Sequence, residues 1–145
     1  MMYKGILGFM AAFLLATAGL AAPLTAAENR ECRKLAAPVS GEARKYSVTA
    51  DIYEFMAFPD IPCAVYWRNN ELCATELSAF QFSAKVFDFG GGGEILMTEA
   101  YFVVAAPGEP LPLAFADREE ATEFITRSGG GEILDYGQLL DHSFD

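Results

Sequence analysis

The sequence predicts an α+β fold: two related ββαβ units, produced by an internal duplication and packed as one small domain. Three observations predict it. Gly91-Gly92-Gly93-Glu94-Ile95-Leu96 recurs as Gly129-Gly130-Gly131-Glu132-Ile133-Leu134, an offset of 38 residues. The same offset sets Ala64-Val65-Tyr66-Trp67 on Phe102-Val103-Val104-Ala105, Asn69-Asn70-Glu71 on Pro107-Gly108-Glu109, and 78–87 on 116–125. A block pattern held in constant register is what a duplication leaves behind. Finally, each block reads strand, tight turn, strand, helix, glycine run, strand.

The elements follow in chain order. Residues 1–27 read as a cleaved export signal. Lys4 supplies the positive start, Gly5 to Leu20 an uncharged and mostly apolar run, and Thr25-Ala26-Ala27 a small-x-small cleavage box before Glu28. A cut after Ala21 is the second choice, disfavoured by Pro23. The run is shorter than the ~20 residues a spanning helix needs, and Cys32 does not follow a small-residue box. The expectation is therefore a periplasmic or secreted protein with no stable membrane anchor after cleavage. Residues 28–46, with Pro38 and Gly41, read as a polar tail or short helix and a linker. Order should begin near Tyr46, in a domain spanning 47–145 with units at about 53–97 and 98–140.

In the first unit, Cys63 to Arg68 reads as an apolar, aromatic strand. Asn69-Asn70 reads as a two-residue hairpin turn and Glu71 to Thr75 as the returning strand. Ser78 to Phe87 has a mixed period and is assigned as helix through its counterpart. In the second unit, Asp117 is an N-cap with Glu120 at N3. Ala121, Phe124 and Ile125 form an i, i+3, i+4 stripe, and Ser128-Gly129 ends the helix. Glu94 to Val104 is strand-rich with a break near Thr98-Glu99. Leu134 to Leu140 ends a strand and begins a short turn or helix.

Charge excludes one class of partner. The mature chain carries 9 basic against 20 acidic residues, a net −11, which repels phosphate backbones and suits a cation or a basic surface. No nucleic-acid role is expected. The glycine runs contain neither G-x-G-x-x-G nor Gly-Lys-Ser/Thr and read as helix stops, so a nucleotide site is rejected. The one histidine, His142, reads as a frayed tail residue, and no triad or multi-histidine zinc site can be built from it. No catalytic residues are assigned, and the protein is read as a non-enzyme. Glu119, Glu120 and Glu123 read as a helix surface, and Tyr66, Trp67, Phe80, Phe82, Phe87 and Phe89 as core packing.

The soft ligands are Cys32, Cys63, Cys73, Met56 and Met97, a set whose sulfur suits copper(I). Three cysteines leave at least one unpaired. Cys63 and Cys73 fall on opposite faces of the predicted hairpin or out of register, so they do not bridge easily. Cys32 could pair with either.

Several short segments resemble one family. Glu99-Ala100-Tyr101-Phe102-Val103-Val104 is similar to an A-x-Y-V-V strand. Phe115 with Arg118-Glu119-Glu120-Ala121 and Phe124 is similar to an F-x-x-R-E-x-A-x-x-F segment. Gly129-Gly130-Gly131 with Ile133-Leu134 is similar to a closing G-G-x-x-L, and Phe58-Pro59 through Tyr66 to an aromatic-proline strand. Together, over roughly residues 53–140, they resemble the NosL family of nitrous-oxide reductase accessory proteins. The fold also resembles part of organomercurial lyase. The NosL resemblance implies an exported copper(I)-handling protein built from two ββαβ units, with a copper enzyme or its assembly factors as partner. The departures fall at the metal site. Of the family's Cys-x-x-Cys-Gly-Met motif only Met56 remains, and Pro107-Gly108-Glu109 lacks the methionine of its Pro-Met-Gly turn. A divergent site would draw on Met56 with Cys63 or Cys73, or on Cys32. The alternative expectation is a metal-free protein-interaction module that keeps the fold.

Overall fold

The computed structural model describes residues 32–144; the expected export signal lies outside them. The fold is α+β. Strands β1 (Val48–Asp51) and β2 (Phe55–Phe58) form a hairpin, followed by helices α1 (Ile61–Asn70) and α2 (Ala74–Ser83). Strands β3 (Lys85–Phe87) and β4 (Glu94–Leu96) complete a four-stranded sheet of order β2-β1-β3-β4. A 3₁₀ turn (Met97–Glu99) leads to β5 (Tyr101–Val104), β6 (Leu113–Phe115), α3 (Arg118–Ser128), β7 (Glu132–Leu134) and α4 (Tyr136–Leu140). The second sheet has order β6-β5-β7. All ladder pairs within both sheets are antiparallel.

The second half runs strand, strand, helix, strand, as expected; the first half runs strand, strand, helix, helix, strand, strand, and in each the first strand lies between two others. The expected register between them does not hold. An offset of 38 lays β5 on α1, a strand on a helix. The two Gly-Gly-Gly-Glu-Ile-Leu strings both end in an edge strand but take different partners: β4 pairs with β3, while β7 pairs with β5, the first strand of its own half. Only the second run follows a helix. The first turns the β3–β4 hairpin, where Asp88 N–H donates to Gly93 O at 2.7 Å and Gly92 N–H to Asp88 O at 2.8 Å.

The predicted hairpin at 63–75 is the main correction. The apolar run is a helix start. The Asp60 side chain accepts from Cys63 N–H at 2.8 Å, and Pro62 sits in the first turn, where its missing N–H costs nothing. Ile61 to Val65 are all buried, which is why no polar face reveals the helical period. Asn69 and Asn70 form the last turn. Asn70 Nδ2 donates back to Tyr66 O at 2.9 Å, and Asn69 Nδ2 reaches Leu140 O at 3.1 Å. The helix expected at Ser78–Phe87 begins earlier, at Ala74, and gives way to β3.

The second unit follows its sequence more closely. Asp117 caps α3 by accepting from Glu119 N–H at 2.7 Å, and Gly129 ends it at φ 83°. The Glu120 carboxylate lies against Gly90, where a Cβ would collide with it. One core cluster holds Val48, Phe58, Ile61, Phe80 and Val86 from the first half and Phe102, Val104, Leu134 and Leu139 from the second. The sheets are joined at one point, a parallel bridge between Asp88 and Ala114.

Candidate functional site

The segment before β1 is not a free tail. Cys32 is disulfide-bonded to Cys63 in the first turn of α1, with Cα atoms 5.3 Å apart. Leu35 exchanges both backbone hydrogen bonds with Ala57 of β2, at 2.8 and 2.9 Å. Trp67 Nε1 donates to Cys32 O at 3.4 Å, and Lys34 reaches Glu54 at 3.4 Å. A 3₁₀ turn (Gly41–Tyr46) then carries the chain into β1. Residues 32–38 therefore strap the outer edge of the first sheet.

Beside the strap, the β1–β2 hairpin exposes aromatic surface. Tyr53 is 76% exposed, Phe82 at the end of α2 is 75% exposed, and Phe55 is exposed as well. The hairpin and α2 are fastened together here. Ser83 Oγ accepts from Asp51 N–H at 3.0 Å and lies 2.9 Å from the Asp51 carbonyl. Tyr53 and Phe82 are each within two residues of that junction, so both rings leave from one end of the sheet on backbone that is held in place. Of the two α2 phenylalanines that the sequence assigns to the core, Phe80 is buried and Phe82 is not.

The sulfur ligands do not converge as one donor set. Met56 is buried on β2. Cys32 and Cys63 are bonded to each other, which leaves neither as a thiolate. Cys73 is an exposed free thiol at the N-cap of α2. Asn70 lies seven residues along the helix from Cys63, about 10 Å of axis at roughly 1.5 Å per residue, and Cys73 follows beyond that end. Its thiol and its N–H hold the Glu76 carboxylate below its ordinary range, with the N–H donating to Oε1 at 3.1 Å. Met97 is buried. Among the described residues no three His, Cys, Asp or Glu side chains form a group able to hold a metal ion. In this oxidised form the residues present do not fit a copper(I) ion.

His142 is held in place rather than frayed. It is half-buried, packs on Phe144 with centroids 4.8 Å apart, and lines a shallow cleft of about 210 Å³ with Pro62, Pro110 and Pro112. Three further phenyl rings, Phe89, Phe115 and Phe124, pack against one another at 5.4–5.6 Å. Sequence reasoning missed the strap and its sheet edge. Pro38 after an apolar residue was the signal that an extended segment precedes the linker. No family model matches this chain, and no curated protein or solved structure matches it.

Proposed function

We propose that this chain is an exported, non-enzymatic protein-interaction module whose docking surface is the aromatic end of the first sheet. The observation that carries the reading is the pair Tyr53 and Phe82, three-quarters exposed beside the Asp51–Ser83 fastening. Large aromatic side chains on fixed backbone lose little entropy when covered, which suits them to anchor an interface. A net charge of −11 after cleavage favours a basic partner surface around them. The Cys32–Cys63 bond supports the oxidising compartment that export implies. Of the copper ligands drawn from resemblance to the NosL family, Cys32 and Cys63 become available only when that bond is reduced, which leaves Cys73 and Met56 to the oxidised protein.

Two measurements test the reading. A photo-crosslinker at position 82 of the full-length protein, in its own cells, is expected to trap one heterologous protein. The adduct should be lost with Tyr53→Ser and kept with Met56→Leu and Cys73→Ser. A crosslinker at position 123 should trap nothing. In parallel, copper(I) titration of the oxidised protein against a competing chelator should show no binding tighter than micromolar. Tighter binding that Cys73→Ser or Met56→Leu removes would overturn the proposal in favour of copper handling.

A further inference from the structure

The edge under the strap has the makings of a second binding surface. Strand β2 is the outer strand of its sheet. Ala57 gives both its backbone bonds to Leu35, so it faces away from β1. In an antiparallel ladder residues two apart face the same way, so the N–H and C=O of Phe55 also point outward. Continuing the Leu35–Ala57 register puts Ala37 opposite Phe55, but Pro38 follows and the chain turns off toward the 3₁₀ turn. The strap thus covers the edge at a single bridge and leaves its aromatic end, Phe55 with Tyr53, open. Two backbone hydrogen bonds, each worth about 1 kcal/mol net, with the long Trp67–Cys32 bond and the exposed Lys34–Glu54 pair, hold the strap only weakly. The disulfide makes the cover permanent.

We infer that the β2 edge accepts an extended strand from a partner once the Cys32–Cys63 bond is reduced, and that the partner strand is apolar and basic like the strap it replaces. The inference rests on the interaction reading above and names the partner class and the control of that surface. The strap is its own template: Leu35 makes the bridge to Ala57, and Lys34 meets Glu54. Strand addition of this kind takes affinity from the main chain and selectivity from alternate side chains. The chemistry of release is ordinary thiol–disulfide exchange with a dithiol reductant. Its thiolate attacks the Cys32 sulfur, because Cys63 is 3% exposed while Cys32 is half-buried. The Cys32–Cys63 bond breaks and Cys63 leaves as a thiolate from the first turn of α1, where the helix dipole favours it, then takes a proton. The second thiol of the reductant displaces Cys32, and the reductant departs as its own disulfide, having given up two electrons.

The probe is a fluorescent peptide of residues 32–38 with serine in place of Cys32, read by anisotropy against the full-length protein. Binding should be at least tenfold tighter to the reduced than to the oxidised protein. It should be tighter still to reduced Leu35→Pro, whose strap lacks the N–H that makes the bridge and so competes less. Amide exchange at Ala57 should accelerate at least tenfold on reduction and slow again when peptide is added, while a scrambled peptide does neither. Equal binding to both redox forms overturns the inference, as does equal binding of the scrambled peptide. If position 82 still traps a partner while peptide binding ignores redox state, the gated edge is wrong and the interaction reading stands. Unfolding of the reduced protein, seen as loss of exchange protection across β5 and β6, overturns it too.

Discussion

Tyr136 buries a hydroxyl that makes no hydrogen bond of good geometry among the described residues, although the Arg68 side chain approaches it. A phenol taken from water without a partner costs free energy that its ring must offset. Burial pushes its ionisation above the ordinary value near 10, and the Arg68 cation opposes the shift less strongly. Tyr136→Phe removes the hydroxyl and keeps the ring, so thermal melts should show stability unchanged or raised by up to about 1 kcal/mol. The sign with pH is fixed as well. The folded protein holds this proton more tightly than the unfolded chain, so the wild type loses stability as pH rises past about 10. Tyr136→Phe lacks that loss, and its advantage should widen above that pH. A destabilisation above about 1 kcal/mol at neutral pH would mean the hydroxyl has a partner after all.

The glycine runs show how one string serves two elements. Gly129 ends α3 in the left-handed conformation, φ 83°, and Gly130 N–H returns to Ile125 O at 3.0 Å. An added Cβ there meets no neighbour, so the cost of substitution is backbone strain alone. Gly93 has no positive φ and open space around it. Gly129→Ala should therefore lower stability by about 1 kcal/mol while Gly93→Ala is close to neutral, as read by urea midpoints. Equal losses at both would show that the left-handed backbone does not set the cost at Gly129. A shared sequence string is satisfied by any place that needs a turn followed by a strand. The string therefore cannot say which strand the strand beyond will pair with.

At the scale of the whole molecule, Asp88 joins the two halves. Its buried carboxylate accepts from Gly90 N–H at 3.0 Å and from Ala116 N–H at 3.2 Å, beside the Asp88–Ala114 bridge and the Phe89 N–H bond to Ala114 O at 2.8 Å. One side chain thus ties the β3–β4 turn to the start of the segment that leads into α3. Gly91 is glycine for the same reason, since a Cβ there would lie 2.6 Å from the Asp88 carboxylate. Asp88→Ala leaves two donors without their acceptor and should cost about 1–3 kcal/mol. Exchange protection should fall on both sides of the junction, at Ala116 as well as at Gly90. A loss confined to the β3–β4 turn would show that the shared core alone holds the halves together.

The α+β class, the cap at Asp117, the stop at Gly129, the break before β5 and the short element after β7 were all legible in the sequence. Each rests on a local rule: a side chain capping its own helix, or a glycine taking a conformation others avoid. Helix α1 was not legible. Its first five residues are buried on every side, and an apolar run without a polar face has no period to read. Nor was the candidate site. The sequence left Cys32 two possible partners. Only the tertiary structure, by setting the strap along β2 and the first turn of α1 beside it, brought Cys32 to Cys63 and left Cys73 a helix length away. Exposure of Phe82 rather than Phe80 was decided in the same way, by which face of α2 meets the first sheet. Local chemistry fixed where elements begin and end, whereas pairing across the chain depends on which surfaces the shared core draws together.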